Sequence, residues 1–456
     1  MVPRTVKDSD LTFFGTSYFM GKTLQDFHQQ RLKNESRVAI VNLGCVRNTV
    51  DSQTMMATLE RKGHSLASLE GADAVIVNTC SFIESAKKES IDAILELIAL
   101  KKKGKIKKVI VAGCLAERYG SQLVSELKEV DAFVGVQAMS PKALQAKAYL
   151  TPPHYAYLKI CESCFNKCSF CVIPKIKGRF ISRDMEVVLQ DVRRFDEQGV
   201  KELNIVGQDI TAYGLDIYRK KNLAELVGKI AREVKNIEWI RFLYAYPAHI
   251  TDELLDVMAR EPKICKYIDV PLQHISDKVL KAMNRRITKA QTIALIEKIR
   301  RKIPGVFLRT TFIVGFPGET KKDVEELKAF LVDHPFERVG VFTYSHEEGT
   351  KAYDLSGQVP QKVKEARAHE LMKEQEKVAQ RLHERLIGRE MKILIEERKK
   401  DDTTIYIGRS EFDAPDVDGV VYVKSPRPLR QGQFVSARIT QVLGYDLMGE
   451  ALSVRQ

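Results

Sequence analysis

The sequence predicts an α/β protein in three folded parts: an N-terminal doubly wound parallel sheet, a central parallel α/β barrel and a small C-terminal β-barrel. Three observations lead there. From Arg37 onward, strand-length apolar runs alternate with helical stretches. A second run of strand–helix alternation fills residues 155–344. The last part of the chain then switches to short alternating strands with turns rich in Asp, Gly and Pro.

Composition sets the outer limits. The chain has 456 residues, of which 44% are hydrophobic and 29% charged, as in ordinary soluble domains. A collagen-like, mucin-like or largely disordered chain is excluded. Apolar runs are strand-length and broken by charge, well short of the ~20 residues of a membrane span. The first forty residues hold no apolar signal core, so the expected location is the cytoplasm, with no membrane partner. Lys and Arg number 73 against 60 Asp and Glu, a net charge of +13. That balance suits a polyanionic partner such as RNA or a ribosome, and equally a solvated basic surface.

Residues 1–36 read as a polar extension with an aromatic patch at Phe13, Phe14, Tyr18 and Phe19. Its Gly21-Lys22-Thr23 is not a phosphate loop, because Gly15 is one residue too far away and no strand leads in. Residues 37–150 carry buried strands at Val38–Leu43, Ala74–Asn78 and Lys108–Ala112. Helices are expected at Asp51–Arg61, Glu84–Lys101 and Ser121–Glu129. Pro152-Pro153 marks a break, and residues 151–361 hold six strands: Tyr155–Ile160, Glu202–Val206, Ile240–Tyr246, Tyr267–Pro271, Phe307–Val314 and Val339–Tyr344. Such a series fits a partial or full parallel barrel. Residues 362–385 form a charged linker helix without Gly or Pro. Residues 386–456 carry strands at Met391–Glu397, Thr404–Gly408, Gly419–Val423 and Phe434–Val442, a five-stranded barrel by pattern.

Eight cysteines in a reducing compartment point to metal or redox chemistry rather than disulfides. Three of them, Cys45, Cys80 and Cys114, each end a predicted strand. Ligands of open α/β sheets bind beyond the carboxyl ends of the strands, so these three should converge on one edge. Each also lies near a helix N-terminus, which favours thiolate. A second group, Cys164, Cys168 and Cys171, forms C-x-x-x-C-x-x-C after the first barrel strand. Three thiolates leave one iron of a [4Fe–4S] cube without a protein ligand. Zinc is the alternative, with Cys161 as fourth ligand, although zinc ordinarily takes four N or S donors.

That second motif resembles the cluster loop of the radical S-adenosylmethionine (SAM) enzymes, including the aromatic residue before the last cysteine. The wider set narrows the resemblance. Asn42-Leu43-Gly44-Cys45-Val46-Arg47-Asn48, Asn78-Thr79-Cys80-Ser81-Phe82-Ile83 and Ala112-Gly113-Cys114-Leu115-Ala116 look like the three N-terminal motifs of the methylthiotransferases. Gly207-Gln208-Asp209, Pro271-Leu272-Gln273-His274, Met283-Asn284-Arg285-Arg286 and the stretch from Phe312 to Thr320 follow in family order. The resemblance implies a radical SAM barrel, a C-terminal barrel similar to the TRAM domain, and two [4Fe–4S] clusters. One is implied on Cys164, Cys168 and Cys171, where its open iron chelates SAM, and an auxiliary one on Cys45, Cys80 and Cys114. Cys161 becomes a neighbour and Cys265 a core thiol.

Such enzymes convert C–H to C–S–CH3, using SAM both as methyl donor and as radical source. No residue is expected to act as a general acid or base, because the unactivated C–H has no acidity to exploit. Near SAM the resemblance implies Gly207 and Gln208 at the methionine end, Phe170 and the Gly315 turn at the adenosine, and Gln273 facing the site. Ser163 stands where the family carries glycine. An electron donor such as flavodoxin or ferredoxin is also implied.

The family divides between tRNA adenosine and an aspartate of a small-subunit ribosomal protein. Residues 386–456 carry eleven basic and eleven acidic side chains, and Glu411, Asp413, Asp416 and Asp418 share one loop. RNA-gripping modules are basic, so this acidic loop is expected to dock a basic ribosomal protein, free or in the subunit. The Gly44-Cys45-Val46-Arg47-Asn48 motif and the segments Asp413–Gly419 and Gly444–Glu450 are also closer to that RimO-type branch. A MiaB-like tRNA enzyme and a non-catalytic iron–sulfur or zinc ribosome adaptor are the alternatives.

Overall fold

The computed structural model describes residues 36–136 and 150–452; the expected N-terminal extension, apart from Ser36, lies outside them. The first layer is a parallel sheet of β1 (Arg37–Asn42), β2 (Ser65–Leu66), β3 (Ala74–Thr79), β4 (Lys108–Gly113) and β5 (Ala132–Val134), in the order β2-β1-β3-β4-β5. Every residue of β3 is buried, as a central strand covered on both faces requires. The sheet has five strands where three were predicted, because two- and three-residue edge strands leave no periodic signal. Two helices also begin earlier than their patterns suggest. Val46–Arg61 starts directly after Cys45, and Cys114–Glu126 starts at the cysteine itself. Neither has a polar side-chain cap, the cue that normally announces a helix start.

The second layer is a six-stranded parallel sheet of β6 (Tyr155–Lys159), β9 (Glu202–Val206), β10 (Trp239–Phe242), β11 (Ile264–Asp269), β12 (Phe307–Val314) and β13 (Arg338–Thr343). Its order is β13-β12-β11-β10-β9-β6, so β13 and β6 are edges and the barrel is partial. A small antiparallel pair, β7 (Cys161–Glu162) and β8 (Ile181–Ser182), brackets the second cysteine loop. Along β12 the side chains alternate: Leu308, Thr310, Phe312 and Val314 are buried against the outer helices, whereas Arg309, Thr311 and Ile313 line the bore. Capping boxes at Thr288/Gln291 and Thr320/Asp323 fix where the helices Lys289–Lys302 and Lys321–Asp333 begin. Among the described residues no helix is long and apolar enough to cross a membrane.

The helix Gln361–Glu384 leads into a closed barrel of β14 (Glu390–Arg398), β15 (Ile405–Ser410), β16 (Val421–Lys424), β17 (Phe434–Leu443) and β18 (Asp446–Ala451). Its core is continuous with the base of the central barrel, where Tyr155, Tyr157, Trp239, Tyr267 and Phe307 meet Ile393, Leu394 and Ile395. Phe412 stacks on Phe307 with ring centres 3.9 Å apart. Beneath them lies a fully buried ion pair, Arg241 to Glu202 at 2.8 Å, and Glu202 also meets Arg409.

Two of the four carboxylates in the acidic loop, Asp413 and Asp418, turn inward, and this corrects part of the expectation drawn from its charge. Asp413 pairs with Arg338 at 2.5 Å and Asp418 with Arg309 at 3.4 Å. Tyr267 donates its hydroxyl to Asp418 at 2.6 Å, and Tyr157 donates to Asp416 at 3.1 Å. Glu411 accepts the backbone N–H of Lys266. Asp413 and Asp418 neutralise cations in the base of the central barrel and are not available to a basic partner, whereas Asp416 stays exposed while it accepts from Tyr157. Asp413 also accepts from the backbone and hydroxyl of Ser410 and is 2% exposed. Replacing it by alanine leaves Arg338 buried and unpaired, a loss of about 3–5 kcal/mol. Asp413→Ala should therefore lower the denaturant midpoint markedly; an unchanged midpoint would contradict the inward role of this loop.

Candidate functional site

The first three cysteines do meet. β1, β3 and β4 are neighbours in register, with Asn42 opposite Asn78 and Asn78 opposite Ala112, so Cys45, Cys80 and Cys114 leave adjacent strand ends. Polar side chains stitch these ends together. Asn78 donates to the carbonyl of Asn48 at 3.0 Å and to Ser52 at 2.9 Å, and Ser52 donates to Asn42 at 2.8 Å. Asn48 donates to the carbonyls of Leu43 and Thr79. Glycine is required at the closest approach: a Cβ on Gly113, at φ 97°, would lie 2.4 Å from the Asn78 side chain. On Gly44, at φ 86°, it would lie 2.6 Å from the Cβ of Cys80.

Electrostatics sets Cys45 apart from the core cysteines, whereas Cys80 and Cys114 are raised by burial as Cys265 is, against the thiolate character expected of all three. Burial works against the Cys45 thiolate, yet Arg47 and the N–H of Asn48 outweigh it and hold that thiol below its usual range. Burial raises Cys80, and the charge of Cys45 adds to it. Cys114 is pushed up to about 12 by burial, with Cys80 and Cys45 adding to the shift and Lys177 opposing it. Each thiolate thus disfavours the next, an arrangement that a bound cationic group relieves.

The second group lies on the loop between β7 and the short helix Ile173–Lys177. Burial and Asp209 raise Cys164 to about 11, and burial with Cys168 and Cys164 raises Cys171 to about 12. Donors are aimed at the sulfurs. The backbone N–H and side-chain amide of Asn166 reach Cys164 at 3.4 and 3.5 Å, and Arg285 reaches Cys168 at 3.6 Å. Ser163 adopts φ 63° and donates its hydroxyl to Gly178 at 2.6 Å. That left-handed backbone explains why glycine is expected there, and the hydroxyl offsets part of the strain.

A cavity of about 900 Å³ opens above the bore of the barrel. Cys164, Cys168 and Cys171 line it, together with Arg47, Phe170, Gln208, Gln273 and Arg285. Cys45, Cys80 and Cys114 do not line it; the segment from Phe82 to Ser85, just after Cys80, forms part of its wall, and so does Arg47. Arg47 is the link between the two groups. Its guanidinium donates to the Gly207 carbonyl at 3.1 Å, stacks 4.5 Å over the Tyr244 ring, and stabilises the thiolates of both Cys45 and Cys171. Beside it, Lys159 pairs with Asp51 and, at 2.5 Å, with Glu162, while Lys177 pairs with Asp51 at 2.9 Å.

The remaining sequence-predicted residues divide. Gln208 and Gln273 line the cavity, and the side-chain oxygen of each is buried with no partner in the protein. Gln273 also holds φ 75°. Two unpartnered buried acceptors suit a ligand with amine and hydroxyl donors, as SAM has. Phe170 packs with Phe316 and Tyr344 on the cavity wall. Gly207 lies behind the wall, where a Cβ would meet the Cys161 sulfur at 2.6 Å. Gly315, at φ 73°, is covered by the Lys364 side chain, which itself lines the cavity. Cys161 and Cys265 are each 1% exposed, as core thiols are. Among the described residues, no three His, Cys, Asp or Glu side chains are placed to hold a single metal ion. A cube several ångströms across is held by thiolates spread around it, so mutual repulsion within each group is the relevant fit. Sequence reasoning passed over Arg47, Asn166 and the Asn42–Asn48–Asn78 staple, although polar residues ending apolar strands were a visible signal. Ser163→Gly should change stability by no more than about 1 kcal/mol, whereas Ser163→Val should cost about 1–3 kcal/mol; equal midpoints for the two variants in denaturant titration would contradict the strained turn.

Three family models match the chain. The Radical SAM superfamily covers residues 158–331, the Uncharacterized protein family UPF0004 residues 37–135, and the TRAM domain residues 387–452. A ribosomal protein uS12 methylthiotransferase RimO of Thermoanaerobacter sp. (strain X514) is 45% identical over 438 residues, 91% of this chain and 99% of that protein. The protein of the same name from Clostridioides difficile (strain 630) is 42% identical over 441 residues, again 91% and 99%. Among solved structures, the radical SAM methyltransferase TsrM of Kitasatospora setae, with cobalamin and a [4Fe–4S] cluster bound, aligns at TM-score 0.51 and 16% identity. That alignment covers 68% of this chain and 75% of the other, a likeness of fold.

Proposed function

The chain belongs to the RimO family of radical SAM methylthiotransferases, and from that membership we propose that it places a methylthio group on the β-carbon of an aspartate in a small-subunit ribosomal protein. The relatives' names supply the protein substrate; the acidic loop no longer argues for it. The reading extends to the whole chain. Residues 37–150 serve the auxiliary site, 151–361 the radical site, 362–385 link them to 386–456, and the last module closes the base of the barrel.

In this reading Cys164, Cys168 and Cys171 hold one [4Fe–4S] cluster and Cys45, Cys80 and Cys114 a second. Bound with SAM, the clusters supply one-electron cleavage of SAM and a store of sulfur for transfer. The protein's own part is positional. Gln208 and Gln273 offer acceptors to SAM and Phe170 an apolar wall for its adenine, while Gly207 and Gly315 support that wall from behind. Asn166 and Arg285 hold the Cys164 and Cys168 sulfurs. One electron per cleavage has to come from outside, from a cytoplasmic donor such as flavodoxin or ferredoxin. The observation that carries the reading is Arg47, which follows Cys45 in the chain, donates to the Gly207 carbonyl and shares the wall of one cavity with Cys164, Cys168 and Cys171.

Anaerobically reconstituted protein should contain about eight iron and eight acid-labile sulfide, two cubes' worth. Cys80→Ala should lose about half of each, still cleave SAM under reductant, and attach no methylthio group. Zinc in place of iron, iron content unmoved by Cys80→Ala, or retained methylthiolation would contradict the assignment.

A further inference from the structure

Behind the second cysteine group a polar chain runs from Asn166 to Asp209 and His249, two residues that the proposed chemistry does not use. Asn166 directs its side-chain amide toward two acceptors, the Cys164 sulfur at 3.5 Å and Asp209 Oδ2 at 2.8 Å. The two N–H bonds of one amide are thereby both committed, which fixes the plane of the group. Asp209 is itself held: Oδ1 accepts the backbone N–H and hydroxyl of Thr211, and Oδ2 accepts Nδ1 of His249 at 2.8 Å. Its backbone carbonyl accepts from the Cys161 thiol. Asp209 is 1% exposed, whereas the His249 side chain, 16% exposed, reaches the surface and packs against Tyr246. Cys168, by contrast, is met by the guanidinium of Arg285.

We infer that Asn166, Asp209 and His249 are positioning residues that set the reduction potential of the cluster held by Cys164, Cys168 and Cys171. The inference rests on the cluster assignment above. An N–H aimed at a ligating sulfur stabilises the reduced, more negative state and raises the potential. Asn166 can aim only while Asp209 holds its second N–H, and Asp209 keeps its place through the hydrogen bond to His249. Loss of any link therefore weakens the donor at Cys164 and shifts the potential to a more negative value.

The test uses full-length protein carrying Cys45→Ala, Cys80→Ala and Cys114→Ala, so that a single cluster is read. Iron and sulfide content and the midpoint potential, followed by electron paramagnetic resonance, are compared for that parent and for Asn166→Leu, His249→Ala and His249→Gln in the same background. Asn166→Leu and His249→Ala should retain iron and titrate at more negative potential, while His249→Gln, which keeps a donor to Asp209, should return most of the shift. If Asn166→Leu loads no iron, His249→Ala reads the same chain three hydrogen bonds from the sulfur. Iron-loaded His249→Ala at the parent's potential would overturn the inference alone. A parent without iron would overturn the cluster assignment and the inference with it.

Discussion

A buried ion cluster at the junction of the N-terminal sheet and the central barrel fixes the geometry on which the site depends. Asp51 comes from the helix that begins after Cys45, Lys159 from the first barrel strand, Glu162 from the strand entering the second cysteine loop, and Lys177 from the helix leaving it. All four side chains are largely out of water, so an unpaired member would be costly, and the satisfied set admits one relative placement of its elements. Lysine charge holds the Glu162 carboxyl well below the usual range despite burial. Glu162 in turn accepts from Gln208, so the network reaches the proposed SAM site as well. Arg118 to Glu347 at 2.7 Å and Arg47 to the Gly207 carbonyl at 3.1 Å add to this seam.

The second constraint is how close the backbone must come to sulfur. Gly44, Gly113 and Gly207 each lie where a Cβ would strike a cysteine or the loop beside one. Where side chains are kept at left-handed backbone, as at Ser163 and Gln273, each gains something specific: a hydroxyl bond to Gly178 in one case, an amide facing the cavity in the other. Strain here is concentrated around the two thiol groups and the cavity they adjoin, as is usual for sites that must be pre-organised.

Much of this was legible in the chain. Apolar periodicity located the main strands of all three sheets, and the matched spacing of Cys45, Cys80 and Cys114 placed them on one edge, because strand order in such sheets follows the strand–helix rhythm. Short edge strands escaped, since two or three residues carry no period, and the fifth barrel strand, β18, was expected by count without being placed. The acidic loop was misjudged for a different physical reason. A count of charges carries no direction, and the cations that Asp413 and Asp418 neutralise, Arg338 and Arg309, come from strands far away in sequence. Arg47 was quoted within a motif without a role for the same reason: its partners, Gly207 and Tyr244, are set by the docking of one domain on another.

Modification of a ribosomal protein by this chamber is tested most directly by the intact mass of small-subunit ribosomal proteins from cells with and without the gene, alongside the nucleosides of their tRNA. One ribosomal protein lighter by a methylthio group in the deletion, with tRNA unchanged, is the predicted result. Loss of a modified adenosine with unchanged ribosomal-protein masses would contradict it.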